Sequence, residues 1–499
     1  MSSVTGRLIK GSMWLTLSRA IVNGLSTLST LILARFLVPA DFGLVAIGTT
    51  LLVIVTSITE LSLGQALIRH PSPDESHFSA AWTLSATRGT ILALLFAAAA
   101  YPTARIYNEP RLVVVMLALS LSLFMSGLTN PRRIMLQRDL IFWQDFTLNV
   151  SQKVVGFIVT VAIAVMFRSY WALVLGTLAY QLTNLIVSYT VLPFWPRITY
   201  KHLKEFLSFS IWLTGGQIVN TLNWRFEYLV IGRLVGASAL GQYTVGNTLS
   251  QLPTREATAP LTQTIYPGFA KVRANPERLV AAYQRAQALL TALALPAGIG
   301  MAVVARPLIL FVMGEKWAPA IVVVQALASV FALQTLGSLV QPLGMAKGAT
   351  RRLFIRDSQM LLLRLPVIIG GLILWGLPGV IYARVFTGIL ASFVNMLLVK
   401  EFIGVPVLKQ LAANTRSLTS VAVMAAVVSL VENFLSSSGD KFALFDQLVL
   451  LIALGAVTYT SCSVLLWMLM GRPEGAETEV FRIAGKAFAM ARRRAPRFT

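Results

Sequence analysis

The stretch SMWLTLSRAIVNGLSTLSTLILARFLVPADFGLVAIGTTL, residues 12–51, recurs without a gap as SIWLTGGQIVNTLNWRFEYLVIGRLVGASALGQYTVGNTL, residues 210–249. At this constant offset Ser12, Trp14, Leu15 and Thr16 match Ser210, Trp212, Leu213 and Thr214. Leu31, Arg35, Gly43, Gly48, Thr50 and Leu51 match Leu229, Arg233, Gly241, Gly246, Thr248 and Leu249. Apolar composition raises chance matches of Leu, but hardly those of Trp, Arg and Gly in register. A duplicated apolar bundle points to an alternating-access architecture more than to an enzyme or a simple anchor.

Composition sets the solvent. The 499 residues are 56% hydrophobic and only 12% charged, with a mean hydropathy of +0.72. A water-soluble domain carries about 25% charged residues. Runs of roughly 20 apolar residues recur along the chain, each long enough to cross a hydrocarbon core. Fourteen spans are expected: 12–35, 42–64, 79–101, 112–130, 147–167, 170–193, 207–232, 240–265, 284–305, 319–343, 354–375, 378–400, 414–434 and 446–470. The first apolar stretch lacks a small-residue cleavage site, so it reads as a retained anchor.

The formal charge of +22 does not read as a nucleic-acid signal. Lys and Arg concentrate in alternate loops: Arg132, Arg133 and Arg138; Arg197, Lys201 and Lys204; Lys271, Arg273 and Arg278; Lys347, Arg351 and Arg352. The positive-inside rule then puts both termini in the cytoplasm and requires an even number of crossings, fourteen or, with one pair misread, twelve. Six crossings separate the two copies, so they run in the same direction as parallel repeats. A second echo supports this: Arg132-Arg133 with Arg138-Asp139 after the fourth span, and Arg351-Arg352 with Arg356-Asp357 after the tenth. The expected architecture is an all-α integral membrane protein. It has a six-helix lobe over 1–200, a second over 201–405, two additional helices over 406–471 and a basic tail over 472–499. In that tail Arg482, Lys486 and Arg492–Arg494 lie among Phe481, Ile483, Phe488 and Met490, a basic amphipathic segment suited to an anionic leaflet.

Ionisable groups at membrane depth usually face a wet cavity or a partner. Arg19, Asn23, Ser26 and Thr30 make one polar stripe along the first span. Asn220, Asn223 and Glu227, with Arg225 close by, make a similar stripe on the seventh. Because these spans are the repeated pair, both stripes are expected to line a shared cleft. Arg88 adds charge in the third span. For Arg19, Arg88 and Arg225 two readings stand, a cavity role or interhelical hydrogen bonding. Lys153, Arg285 and Arg356 lie near span ends, where long basic side chains snorkel to the headgroups. Arg35 and Arg233 read equally as rim ligands or interface anchors. Glu60 and Glu227 are candidates for coupling H⁺ or Na⁺, a structural salt bridge being the other reading. An excess of basic over acidic groups in a cleft favours an anionic substrate.

Other chemistry finds no support. Cys462 is the single cysteine, and His70, His77 and His202 all fall near loops, which argues against a thiol or histidine metal centre. Gly485-Lys486 is followed by Ala487, so there is no Walker A pattern. No cofactor is implied, and no nucleophile–base set supports an enzyme.

The segments LARFLVPADFGLVAIGTTL (33–51), MLQRDLIFWQ (135–144), LVIGRLVGASALGQYTVGNTL (229–249) and GEKWAPA (314–320) resemble one family. It is the polysaccharide transporter branch of the multidrug/oligosaccharidyl-lipid/polysaccharide exporter superfamily, the Wzx-type flippases. The resemblance implies a bacterial inner-membrane protein with two six-helix lobes around a central cavity. It implies movement of an undecaprenyl-pyrophosphate-linked oligosaccharide from the cytoplasmic to the periplasmic leaflet for exopolysaccharide or lipopolysaccharide synthesis. Partners would be the lipid-linked oligosaccharide, membrane lipids and a polysaccharide polymerase with its chain-length machinery. A cation-coupled exporter of small amphiphiles is the alternative. Drug-exporting relatives commonly rely on a carboxylate in the first helix, which this first span lacks. A non-transporting scaffold for glycan assembly is a third reading.

Overall fold

A computed structural model describes residues 4–478 apart from 60–62, 64–66, 69, 71, 140, 436–440 and 473–474. The described residues form helices and turns, without strands. Glu60 and the basic segment from Arg482 onward lie outside the described residues.

The chain divides into two compact units, Met1–Val245 and Gly246–Thr499. The first holds α1 (Val4–Phe36), α2 (Pro39–Ile58), α3 (Glu75–Ala98), α4 (Ala100–Tyr107), α5 (Arg111–Gly127), α6 (Arg133–Arg138), α7 (Phe142–Phe167), α8 (Trp171–Val191) and α9 (Leu203–Leu234). Helix α10 (Ala237–Val272) begins in it and continues into the second unit. There follow α11 (Pro276–Val303), α12 (Ala305–Val312), α13 (Ala320–Gln334), α14 (Val340–Ala346), α15 (Thr350–Ile403), α16 (Val407–Ala412), α17 (Thr415–Phe434) and α18 (Lys441–Leu469).

A helix occupies each of the fourteen expected stretches, but among the described residues ten helices are long and apolar enough to cross a membrane. The difference has physical causes. Helix α15 carries two expected spans in one run of 54 residues, interrupted at Gly376, whose φ of 62° turns the chain. Across that turn Gly371 and Gly379 bring their backbones into contact, so the two halves form a hairpin. Helix α5 is apolar but short. Helices α9 and α10 are long but rich in Asn, Gln, Thr and charged residues.

The unit boundary falls inside the eighth expected span, whereas the repeat divides the sequence before the seventh. The reason is one crossing. Gly43 lies at the start of α2 and its repeat equivalent, Gly241, at the start of α10. A Cβ on Gly43 would stand 2.9 Å from Ala237 Cα and closer still to its carbonyl. A Cβ on Gly241 would stand 2.7 Å from Pro39 C and 3.0 Å from Gly43 N. Pro39 and Ala237 are themselves repeat equivalents, so the contact is reciprocal. Helix α9 also packs along α2, and this ties the start of the second copy to the first.

Repeat equivalence shows in other contacts within each unit. Gly48 lets α2 lie on α5, where a Cβ would come within 2.9 Å of Leu119 Cδ1. Its equivalent Gly246 lets α10 lie on α13, within 2.7 Å of Val323 Cγ1. Between lipid-embedded helices there is little hydrophobic drive, so close backbone approach and interhelical hydrogen bonds carry association. The last two helices, α17 and α18, pack on the second unit through a core of Leu295, Val304, Ala332, Val421, Met424 and Leu448.

Asp74 caps α3, its carboxylate accepting from the amides of Ser76 and His77. Donation from the Ser76 hydroxyl and from His77 holds this carboxyl well below the ordinary carboxylate range. A folded pKa below the unfolded value stabilises at every pH above the unfolded value and is lost on further acidification. Amide exchange at Ser76 and His77 should therefore be faster in Asp74→Ala. The gap from wild type should stay constant from neutral pH to about 4, the unperturbed carboxylate value, and close below it.

Overpacking at the reciprocal crossing should cost about 1–3 kcal/mol for Gly43→Ala or Gly241→Ala. Because both residues shape the same contact, the double variant should lose less than the sum. Thermal unfolding of the purified protein in detergent measures both effects, and additive losses would mean that the two glycines act independently.

Candidate functional site

Helix α9 carries a set of polar groups within an expected span. Its polar stripe passes from exposed to buried along the helix. Asn220 is exposed, Asn223 is 7% exposed and Arg225 is partly buried. Glu227 is 1% exposed and accepts a hydrogen bond of 2.8 Å from the Tyr243 hydroxyl on α10. Tyr243 is itself fully buried, and its ring meets Tyr228 edge-on at 5.7 Å. The Arg225 guanidinium stands 5.6 Å from the Tyr228 ring centroid. Glu227, Tyr243, Tyr228 and Arg225 thus form one cluster, in which an acid, a phenol donor and a cation lie within a helical turn or one helix crossing.

Arg88 on α3 turns toward the C-terminal end of α2. It donates through Nη2 to the Thr56 carbonyl at 2.7 Å and through Nε to Thr59 Oγ1 at 3.2 Å. A guanidinium placed on the last carbonyls of a helix complements their partial negative charge. This is the interhelical hydrogen-bonding reading of Arg88. Nearby, Thr221 donates to Ser57 at 3.0 Å and links α9 to α2.

The stripe on α1 behaves differently. Arg19 is exposed, and Asn23 is partly buried. The hydroxyls of Ser26 and Thr30 donate back to the carbonyls of Val22 and Ser26. Such i−4 bonds satisfy the hydroxyl locally and leave its acceptor lone pairs for a partner. Helix α1 packs against α7, with Trp14 edge-on to Phe146 at 4.8 Å. The structure therefore gathers Arg225, Glu227 and Tyr228 with Tyr243, bonds Arg88 to the end of α2, and turns the Ser26 and Thr30 hydroxyls back onto carbonyls of α1.

Two features escaped the sequence reading. The first is Tyr243. A signal for it existed: in the repeat, Glu227 aligns with Ser29 and Tyr243 with Val45, so the acid and its donor are both peculiar to the second copy. The second is a stack of all three histidines. The His77 ring lies 4.3 Å from His70 and 3.9 Å from His202, the latter nearly parallel. His77 Nδ1 pairs with Asp74 at 2.6 Å, and His202 Nε2 meets the Ser76 hydroxyl at 3.1 Å. The long chain separation of His202 from the other two hides this from sequence. Parallel rings do not aim their nitrogens at one point, and among the described residues no group of His, Cys, Asp or Glu could hold a metal ion.

With this geometry in view, the chain can be set beside known proteins. Residues 32–322 match a family model described as polysaccharide biosynthesis protein. All four segments that carried the resemblance lie inside that range. The lipopolysaccharide biosynthesis protein WzxC of Escherichia coli (strain K12) is 24% identical over 81% of this chain and 83% of its own length. The teichuronic acid biosynthesis protein TuaB of Bacillus subtilis (strain 168) is 24% identical over 92% of this chain and 95% of its own. Among solved structures, the lipid II flippase MurJ in an inward closed conformation superposes with a TM-score of 0.74 at 14% identity. It covers 93% of this chain and 100% of that one. At that identity the likeness is one of fold: an all-helical membrane-transporter architecture.

Tyr243→Phe removes the phenol donor to the buried Glu227, at a cost of about 1–3 kcal/mol. In a Glu227→Gln background the same change should cost less, and a double-mutant cycle by thermal unfolding reads the coupling. Equal losses in both backgrounds would show that the hydrogen bond adds nothing to stability.

Proposed function

We propose a flippase for a lipid-linked oligosaccharide, on the premise that the chain belongs to the polysaccharide biosynthesis protein family. One observation carries the reading: the likeness in fold, over 93% of the chain, to a lipid II flippase. The relatives WzxC and TuaB are both named for the biosynthesis of surface polysaccharides. The substrate is an undecaprenyl-pyrophosphate-linked repeat unit, taken from the cytoplasmic leaflet and released to the periplasmic leaflet of a bacterial inner membrane by alternating access. The chain crosses fourteen times with both termini cytoplasmic, in two six-helix lobes, 1–200 and 201–405, with two further helices beyond them.

In this reading the exposed Arg19 and the partly buried Arg225 meet the pyrophosphate, while Asn23, Ser26, Asn220 and Asn223 contact the polar glycan. Arg–phosphate pairs are frequently bidentate, which combines charge with orientation. The polyprenyl chain stays in lipid, where it costs nothing to solvate. Arg88 serves the site indirectly, by fastening α3 to the end of α2. Glu227 is the coupling group. Binding H⁺ or Na⁺ to a buried carboxylate removes a charge from a low-dielectric site, and this shifts the balance between conformations that bury it differently. The Tyr243 hydroxyl ties this carboxyl to α10.

Deleting the gene should abolish surface polysaccharide and leave the lipid-linked unit on the cytoplasmic side, seen by lipid extraction and mass spectrometry. Normal polysaccharide in a strain without a second copy would falsify the reading. In reconstituted vesicles, Glu227→Gln should retain basal exchange and lose its response to a pH or Na⁺ gradient. An unchanged gradient response would remove Glu227 from coupling. Drug efflux that collapses with the gradient and survives Arg19→Ala would instead favour the exporter of small amphiphiles.

A further inference from the structure

The linker between α8 and α9 is an extended strap, and its two faces differ. Its inner face is fastened to the protein. Phe194 is 6% exposed and packs with Leu67, Phe78, Ala80 and Ala81. The Thr199 amide donates to Thr83 Oγ1 at 3.1 Å, and the Asn130 side chain donates to the Leu192 carbonyl at 2.6 Å. Arg132 donates to the Pro193 carbonyl at 2.8 Å while its guanidinium lies over the Phe194 and Phe78 rings. His202 closes the strap by stacking on His77. The outer face holds Trp195, Ile198 and Tyr200, which are 90%, 77% and 60% exposed, together with exposed Arg197 and Lys201.

Beside the strap's first residue lies a cavity of about 420 Å³. Phe78, Met135, Leu136, Ile141 and Leu192 give it apolar walls, and Arg132, Arg138 and Asp139 line it with charge. Strap and cavity lie at the ends of membrane-crossing helices, so they sit at the level of the lipid headgroups. An amphipathic Trp or Tyr is favoured at that level, and basic pockets between helix ends suit anionic headgroups. Three acidic groups oppose the charge here: Glu75, which pairs with Arg132, Asp139, and Asp74, which pairs with His77. Arg132, Arg138, Arg197 and Lys201 outweigh them.

We propose that this end of the first unit is a seat for an anionic phospholipid of the surrounding leaflet. The apolar walls take the upper part of an acyl chain. Arg138 and the remaining N–H groups of Arg132 face the phosphate. Arg197 and Lys201 draw the headgroup in, and Trp195 and Tyr200 hold the strap in the interface. The occupant is a bulk lipid rather than a transported one, because none of the residues lining the cavity belongs to the Glu227 cluster on α9 and α10.

The full-length protein, delipidated in detergent, would be titrated with phosphatidylglycerol or phosphatidylcholine and the retained lipids counted by native mass spectrometry. Phosphatidylglycerol should bind more tightly. Each basic residue near a charged lipid surface contributes about 1 kcal/mol, or about fivefold. The combined Arg138→Gln, Arg197→Gln and Lys201→Gln variant should therefore lose at least about fivefold of the preference. Lys201→Gln alone, at an exposed position, should lose part of it with the fold intact. Arg105→Gln, an exposed arginine on another segment, should lose none. A wild type without preference, or a triple variant that keeps it, overturns the proposal. So does displacement of the lipid by inorganic phosphate, which would mark a free-anion site, or one-for-one displacement by a lipid-linked pyrophosphate, which would mark a substrate site. This binding measurement involves no transport, so its failure leaves the flippase reading untouched, and failure of that reading leaves the seat standing.

Discussion

The crossing of α2 and α10 at Gly43 and Gly241 is the constraint on which the rest depends. In water, two helices associate because apolar surface leaves the solvent. In a bilayer the lipid is as apolar as the side chains, and that drive is nearly absent. What remains is dispersion at close range, and it falls steeply with a gap of about half an ångström. A side chain at either glycine would push the helices apart by more than that, since the added Cβ would already overlap the facing backbone. The contact is reciprocal because it joins equivalent positions of a duplicated segment. It also explains why the first compact unit runs on to Val245 instead of stopping at the end of the sixth expected span.

Polar groups are the second means of holding helices in lipid, and here they divide into two kinds. Arg88 on Thr56 and Thr59, and Thr221 on Ser57, fasten one helix to another. Each places a donor on an acceptor that would otherwise lack water. Glu227 is of the other kind. A carboxyl group 1% exposed is costly at membrane depth. Stability alone would favour an apolar residue there, as Ser29 and Val45 favour a simpler contact in the first copy. The first copy has neither the acid nor its donor at the equivalent positions.

Much of this was legible in the sequence. Ten identities over forty positions identified the duplication, and the pairs Gly43/Gly241 and Gly48/Gly246 proved to be close-packing sites. Helices formed where apolar runs stood. The polar stripe on α9 was visible from spacing, and Glu227 stood out against Ser29. Less legible was the fate of each polar residue. Arg88 and Arg19 look alike in sequence, yet one is bonded to a neighbouring helix end and the other is exposed. The difference lies in which helix happens to end beside each, and no local pattern encodes that. The histidines are a stronger case. His70, His77 and His202 looked like three unrelated loop residues and form one stack.

The sequence by itself determined the solvent, the helices, the duplication and the family, because each rests on composition, periodicity or self-similarity along the chain. Lipid requires every backbone group to be satisfied within its own segment, so an apolar run of the right length has no alternative to a helix. Tertiary structure decided which groups meet: Tyr243 with Glu227, Arg88 with the end of α2, His202 with His77 and Ser76, and the strap with α3. Those pairings depend on how helices cross and where loops return, and a crossing is set by shape at ångström range between residues distant in the chain.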